Sequence, residues 1–342
     1  MGGGATQVQS RAVAVAHDTS RFLSVYPWDN STGFGVLYAN PVTLPTGVAT
    51  GVAFSRQGDA VAVAHTVSPR FSVYPFNASS GIGVRYASPV TLPTGDGASV
   101  DFHPDGTAIA VGHLVSPFAS AYPFSVSTGI GAKYANPSSL PPQRCLGIKF
   151  SPQGDYLAVV GSGAVANTGY RSIYSWSGSG FGARVSHASS QTNMNGVDWH
   201  PTGNAIAFSQ TASNPIICFA VSSGVIGTQY ASSSYGVVAT GVAFNRAGTV
   251  CGISHEGTPY ARMFPFSLST GFGAAFSNPS SLATGNGRGI AFSHDDKAVA
   301  LAHFTTPFAS AWGWDNATGF GSKYANPSTL PTGNATGVAF CG

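Results

Sequence analysis

A phrase of about 48 residues returns seven times along this chain, and that period decides the architecture before any single residue is weighed. The aromatic that ends each Gly-Val-Ala-Phe-like segment stands at Phe54, Phe102, Phe150, Trp199, Phe244, Phe292 and Phe340, at steps of 48, 48, 49, 45, 48 and 48 residues. After the aromatic comes a turn such as His103-Pro104-Asp105-Gly106, where proline fixes one φ and glycine supplies a positive one. An alternating run follows, Ala60-Val61-Ala62-Val63-Ala64-His65 in the second unit, whose period of two marks a strand. A loop leads to a third segment ending in an aromatic-x-aromatic triplet, as in Tyr74-Pro75-Phe76 or Trp312-Gly313-Trp314. A Gly-x-Gly turn such as Gly129-Ile130-Gly131 then opens a fourth segment like Tyr134-Ala135-Asn136-Pro137.

Four short strands per unit, here named a to d, repeated seven times at this spacing predict an all-β, seven-bladed β-propeller of four-stranded antiparallel blades. The ends fit a closed ring. The first b-like segment, Ala12 to His17, has no strand a before it, and the last a-like segment, Gly337 to Phe340, has no strand b after it. Pairing them makes one blade and removes two open sheet edges. The chain is therefore expected to be a single domain. Blade 1 is formed by 9–47 plus 337–342, and blades 2 to 7 by 51–95, 97–142, 146–193, 196–238, 241–285 and 288–333.

The segment Phe150-Ser151-Pro152-Gln153-Gly154-Asp155-Tyr156-Leu157-Ala158-Val159 resembles the Phe-Ser-Pro-Asp-Gly element of WD-repeat-like propellers, and the likeness spans the whole chain. The Trp-Asp ending survives only at Trp28-Asp29 and Trp314-Asp315, and the Gly-His pair usual before strand a is absent, which departs from the standard WD-repeat hydrogen-bond network. The longer phrase of Tyr-Pro-Phe, Gly-Phe-Gly, Tyr-Ala-Asn-Pro and Leu-Pro-Thr-Gly is similar to repeat propellers encoded by tailed bacteriophages. That resemblance implies a virion component made in the host cytoplasm, with other virion proteins as partners.

Composition removes several function classes. Charged residues are 8% of the chain, with 15 basic against 12 acidic and the Lys and Arg scattered singly, so no nucleic-acid footprint is visible. The 22 Phe and 13 Tyr argue against disorder despite 44 Gly and 22 Pro. No basic region followed by an apolar run opens the chain, so no secretory signal is read, and no apolar stretch predicts a membrane span. Cys145, Cys218, Cys251 and Cys341 form no metal-finger spacing and read as buried thiols.

Histidines end strand b at His17, His65, His113, His255 and His303, with Gly161 and Gln210 at that place in the other two units. Ligands sharing one ion lie within roughly 4 Å of each other, whereas neighbouring blades should stand ~10 Å apart, so these imidazoles are expected to bond loops rather than a metal. The repeat breaks most in the fourth and fifth units. Arg144, Arg171, His187, Asn193, Met194, Asn195 and Tyr235 stand there and form the candidate partner surface. No nucleophile elbow, phosphate loop or zinc helix motif occurs, and twelve carboxylates lie mostly as singletons. The sequence thus points to a non-catalytic structural or interaction body without a cofactor, a bacteriophage tail or surface decoration. One alternative is a glycan-binding propeller using repeated Tyr86, Tyr134, Asn136 and Asn326, with a host-surface glycan as partner. The other is a lactonase-like hydrolase with a metal in the axial channel.

Overall fold

The computed structural model describes residues 11–163, 168–190, 192–232 and 236–342. Among them lie seven four-stranded antiparallel sheets, one per repeat, arranged as the blades of a ring. Closure is as the two ends require. The last strand, Ala335–Cys341, pairs with Ala12–His17 in antiparallel register, Val13 opposite Phe340 and Val15 opposite Val338, and completes the sheet that continues through Leu23–Asp29 and Gly33–Phe34. Arg11 fastens the joint, its Nε and Nη2 donating to the Gly342 carbonyl oxygen at 3.0 and 2.7 Å.

The Ala/Val alternation of strand b explains how the blades stack. In an extended strand, successive side chains leave opposite faces, so all the alanines of a blade share one face and all the branched residues the other. Ala12, Ala14 and Ala16 meet Val61 and Val63 of blade 2, and Ala60, Ala62 and Ala64 meet Ile109 and Val111 of blade 3. Ala108 and Ala110 meet Leu157 and Val159, and the Val13/Val15 face is met by Ala298, Ala300 and Ala302 of blade 7. Large fits small at each of these joints, the complementarity that close packing needs.

Toward the rim, the widening wedge is filled by aromatic cages. Trp28 lies edge-on to Phe34, to Phe340 of strand a and to Tyr324 of the preceding blade, at ring separations of 5.3, 5.0 and 5.0 Å. Trp176 is caged in the same way by Phe150, Phe181 and Tyr134. Several of these tyrosines also bond the next blade, as Tyr86 Oη does the Val126 carbonyl at 2.7 Å and Tyr324 Oη the Asn30 carbonyl at 2.6 Å.

Strand d departs from expectation. The Tyr-Ala-Asn-Pro segments are irregular, and in blades 1, 2, 3 and 6 the strand is reduced to Gly33–Phe34, Gly81–Ile82, Gly129–Ile130 and Gly271–Phe272. Proline in strand c is the cause. The carbonyls of Pro27, Pro75, Pro123 and Pro265 each accept one amide from strand d at 2.8 Å, but these residues have no N–H to return. Where strand c carries Ser175, Ala220 or Gly313 instead, strand d lengthens to Gly180–Ser190, Val225–Gln229 and Gly319–Lys323.

Candidate active site in the axial well

Strand a of every blade runs along the axis, and the residue before its terminal aromatic points the repeat's difference inward. Four blades carry alanine there: Ala53, Ala243, Ala291 and Ala339. Blades 3, 4 and 5 carry Asp101, Lys149 and Asp198. All seven line one cavity of about 610 Å³, open at the face formed by the a–b turns. A second depression of about 480 Å³ lies among the d–a and b–c loops, with Thr50, Asn195, Thr240 and Arg288 in its wall. The two have no lining residue in common. Between them the a strands come so close that a Cβ on Gly289 would lie 3.0 Å from Gly337 Cα.

The three ionisable side chains are held from behind. Lys149 Nζ is 3.0 Å from Asp101 Oδ1, with the lysine side chain 40% exposed to the well and the aspartate 8%. Asp101 Oδ2 accepts the Phe150 amide at 2.9 Å, and Asp198 Oδ2 accepts the Phe244 amide at 2.8 Å. Trp199 Nε1 donates to the Lys149 carbonyl at 3.1 Å, tying the middle strand to the next. Burial pulls on the Lys149 ammonium to lose its proton, but the charges of Asp101 and Asp198 outweigh it and hold the pKa above its ordinary value. For Asp198, burial wins: its pKa is raised to about 6, against the opposing pull of Lys149 and the Phe244 amide. The well thus presents a fixed cation beside a carboxylate poised near neutrality, a pairing suited to proton transfer with charge stabilisation.

An axial metal fits this donor set poorly. Among the described residues no three His, Cys, Asp or Glu side chains converge as ligands, and the two carboxylates on the axis flank an ammonium.

The residues singled out from the sequence lie elsewhere. His17, His65, His113 and His303 are buried, each with Nε2 at 3.0–3.1 Å from a strand-c serine hydroxyl: Ser24, Ser72, Ser120 and Ser310. Nδ1 of His17 and His65 faces a b–c loop carbonyl, of Thr19 and Val67. His255 is equally buried. Burial pushes all five down to about pKa 4. In blade 4, where Gly161 replaces the histidine, the serine is kept as Ser172 and takes its partner from strand d, His187 Nδ1 at 2.8 Å. Arg171 lays its guanidinium over Phe219, 4.4 Å from the ring centre, and Arg144 Nε donates to Ser162 Oγ at 3.0 Å. Asn193 bonds Thr211 and Asn195 bonds the Ala239 carbonyl, while Met194 is fully buried and belongs to packing, not to a partner surface. Tyr235 lies outside the described residues. The described positions are dispersed over blades 4 and 5, and none of them lines the cavity of the axial triad. Tyr86 and Tyr134, offered to a sugar, are seated edge-on in the aromatic cages. The axial triad is hard to see in the sequence because strand a is otherwise the same apolar phrase in every unit. Its signal was alanine at one register position in four units, replaced by Asp, Lys and Asp in three successive ones.

No protein-family model matches the chain, and a search of curated proteins finds no match. Solved structures do match. A provisionally named 6-phosphogluconolactonase of Bacteroides fragilis aligns with a TM-score of 0.76 at 10% identity, over 99% of both chains. One of the same provisional name from Bacteroides uniformis gives 0.75 at 14%, over 97% of this chain and all of that one. The periplasmic gluconolactonase PpgL of Pseudomonas aeruginosa gives 0.70 at 14%, over 97% and 99%. The chain has the fold of these propellers. Identity this low establishes the fold alone. The expectation of a non-catalytic bacteriophage component is nevertheless corrected, since these propellers, alike over their whole length, carry the names of hydrolytic enzymes and none of them that of a virion protein.

Proposed function

We propose that the chain hydrolyses a small cyclic ester of the sugar-lactone class in the axial well. One observation carries this: an ammonium and a near-neutral carboxylate stand together in the only three blades that abandon alanine at the axis. The names of the structural neighbours support the same reaction class.

The chemistry follows from the charges. A water oxygen attacks the lactone carbonyl carbon while Asp198 takes the water's proton. The carbonyl oxygen becomes an oxyanion, which the Lys149 ammonium stabilises. Asp101 positions Lys149 through the 3.0 Å contact and keeps it charged. Collapse breaks the bond between the carbonyl carbon and the ring oxygen, and that oxygen leaves with the proton held by Asp198. The product is the open hydroxy acid, with one water consumed.

Purified protein is assayed on aldonolactones by the acid released. The rate should rise with pH through about 6, where Asp198 ionises. Asp198→Asn and Lys149→Met should each lower kcat by about 100-fold or more. Full activity in either variant, or no hydrolysis of any aldonolactone by the wild type, sinks the proposal.

A further inference from the structure

The well is divided between two sets of blades. At the second position of each a–b turn, the lip of the cavity carries Arg56, Pro104, Pro152, Pro201, Arg246 and His294. The three prolines stand over blades 3, 4 and 5, whose floor holds Asp101, Lys149 and Asp198. Arg56, Arg246 and His294 stand over blades 2, 6 and 7, whose floor is Ala53, Ala243 and Ala291. Reactive groups and the Arg and His of the lip therefore never fall on the same blade.

The two guanidiniums are placed to meet a ligand. In a chain with 15 basic residues, two line one mouth, both on exposed turns. Lys149 below them is matched by its aspartates, but neither Arg56 nor Arg246 is in an ion pair among the described residues. Arg56 Nη1 reaches across the mouth to the Pro152 carbonyl at 3.3 Å, so its side chain already lies over the well rather than out in solvent. Burial, then Arg246, press His294 toward its neutral form against the opposing charge of Asp295, with Lys149 and Arg56 adding to the effect. Asp295, next to His294, carries the opposite sign, so the pull on an anion comes from the two guanidiniums, whose forks match the oxygens of phosphate and carboxylate.

We infer that the lip formed by Arg56, Arg246 and His294 binds an oxyanion carried by the substrate, so that the enzyme selects anionic over neutral lactones. This rests on the hydrolytic reading for its substrate, but not for the binding itself. The reacting carbonyl then lies over blades 3 to 5 and the charged end points to the opposite side of the mouth.

Two measurements separate the inference from the reading beneath it. In kinetics, kcat/KM for a phosphorylated or carboxylated aldonolactone should exceed that for the neutral parent by about 100-fold. Arg56→Ala/Arg246→Ala should erase that preference by raising KM, leaving turnover of the neutral lactone unchanged. The better of the two charged substrates identifies the oxyanion. In isothermal titration, inorganic phosphate should bind the wild type, and the double variant should bind it at least about tenfold more weakly. This result stands even if no lactone is hydrolysed. Equal handling of neutral and charged lactones, or phosphate binding untouched by the double substitution, overturns the inference.

Discussion

A buried imidazole resists protonation only while the fold persists. His17, His65, His113, His255 and His303 are all held near pKa 4 by burial, against 6.5 for an exposed ring. The native state thus resists protonation and the unfolded chain accepts it. Stability is fully present above pH 6.5 and is lost as pH falls toward 4, each ring contributing a slope of up to about 1.4 kcal/mol per pH unit in that window. Urea unfolding at pH 7, 6, 5 and 4 should show this steep decline, and His113→Gln should make it shallower. A flat profile would show that the rings titrate alike in both states. The replacement is one the molecule itself uses: blade 5 has Gln210, whose Nε2 donates to the Asn214 carbonyl at 2.8 Å, where five other blades have histidine. Blade 4 solves the same problem from another strand, with His187 serving Ser172.

At the scale of the strand, a single missing N–H governs the outer edge of each blade. Four prolines in strand c coincide with two-residue d strands, and the three blades without them carry longer ones. Ser175→Pro should therefore cut the ladder between Gly169–Ser177 and Gly180–Ser190. Hydrogen exchange should show the amides of residues 184–188 exchanging at least about tenfold faster, with strand b of that blade still protected. Unchanged protection would mean that the d strand is held by its side chains alone. This element also shows what the sequence made legible. Strands a, b and c could be read because alternation and burial coincide there. Strand d could not, because Tyr-Ala-Asn-Pro repeats faithfully for a different reason: its tyrosine locks into the next blade's aromatic cage and carbonyl. Repetition marks what every blade needs, whether or not that is a strand.

The whole ring depends on its seam. Removing residues 335–342 should expose the Ala12–His17 edge, unseat Phe340 from beside Trp28 and leave the Val13/Val15 face half covered. Such a truncation should lose the single cooperative thermal transition or aggregate, and a wild-type melting curve would show that six blades and three strands of the seventh suffice. Ring size, closure and strand order could all be read from the period, while the axial charges could not, because a lone Asp or Lys in a strand carries no mark of facing a lumen. That lumen has a consequence for how such a protein changes over time. Alanine at the axial position is compatible with the ring in four blades, so exchanging Asp101, Lys149 and Asp198 for it should remove the proposed chemistry and leave the disk standing. On the hydrolytic reading proposed above, activity and foldedness could then be lost or regained almost independently, joined only through the Phe150 and Phe244 amides that the two carboxylates accept.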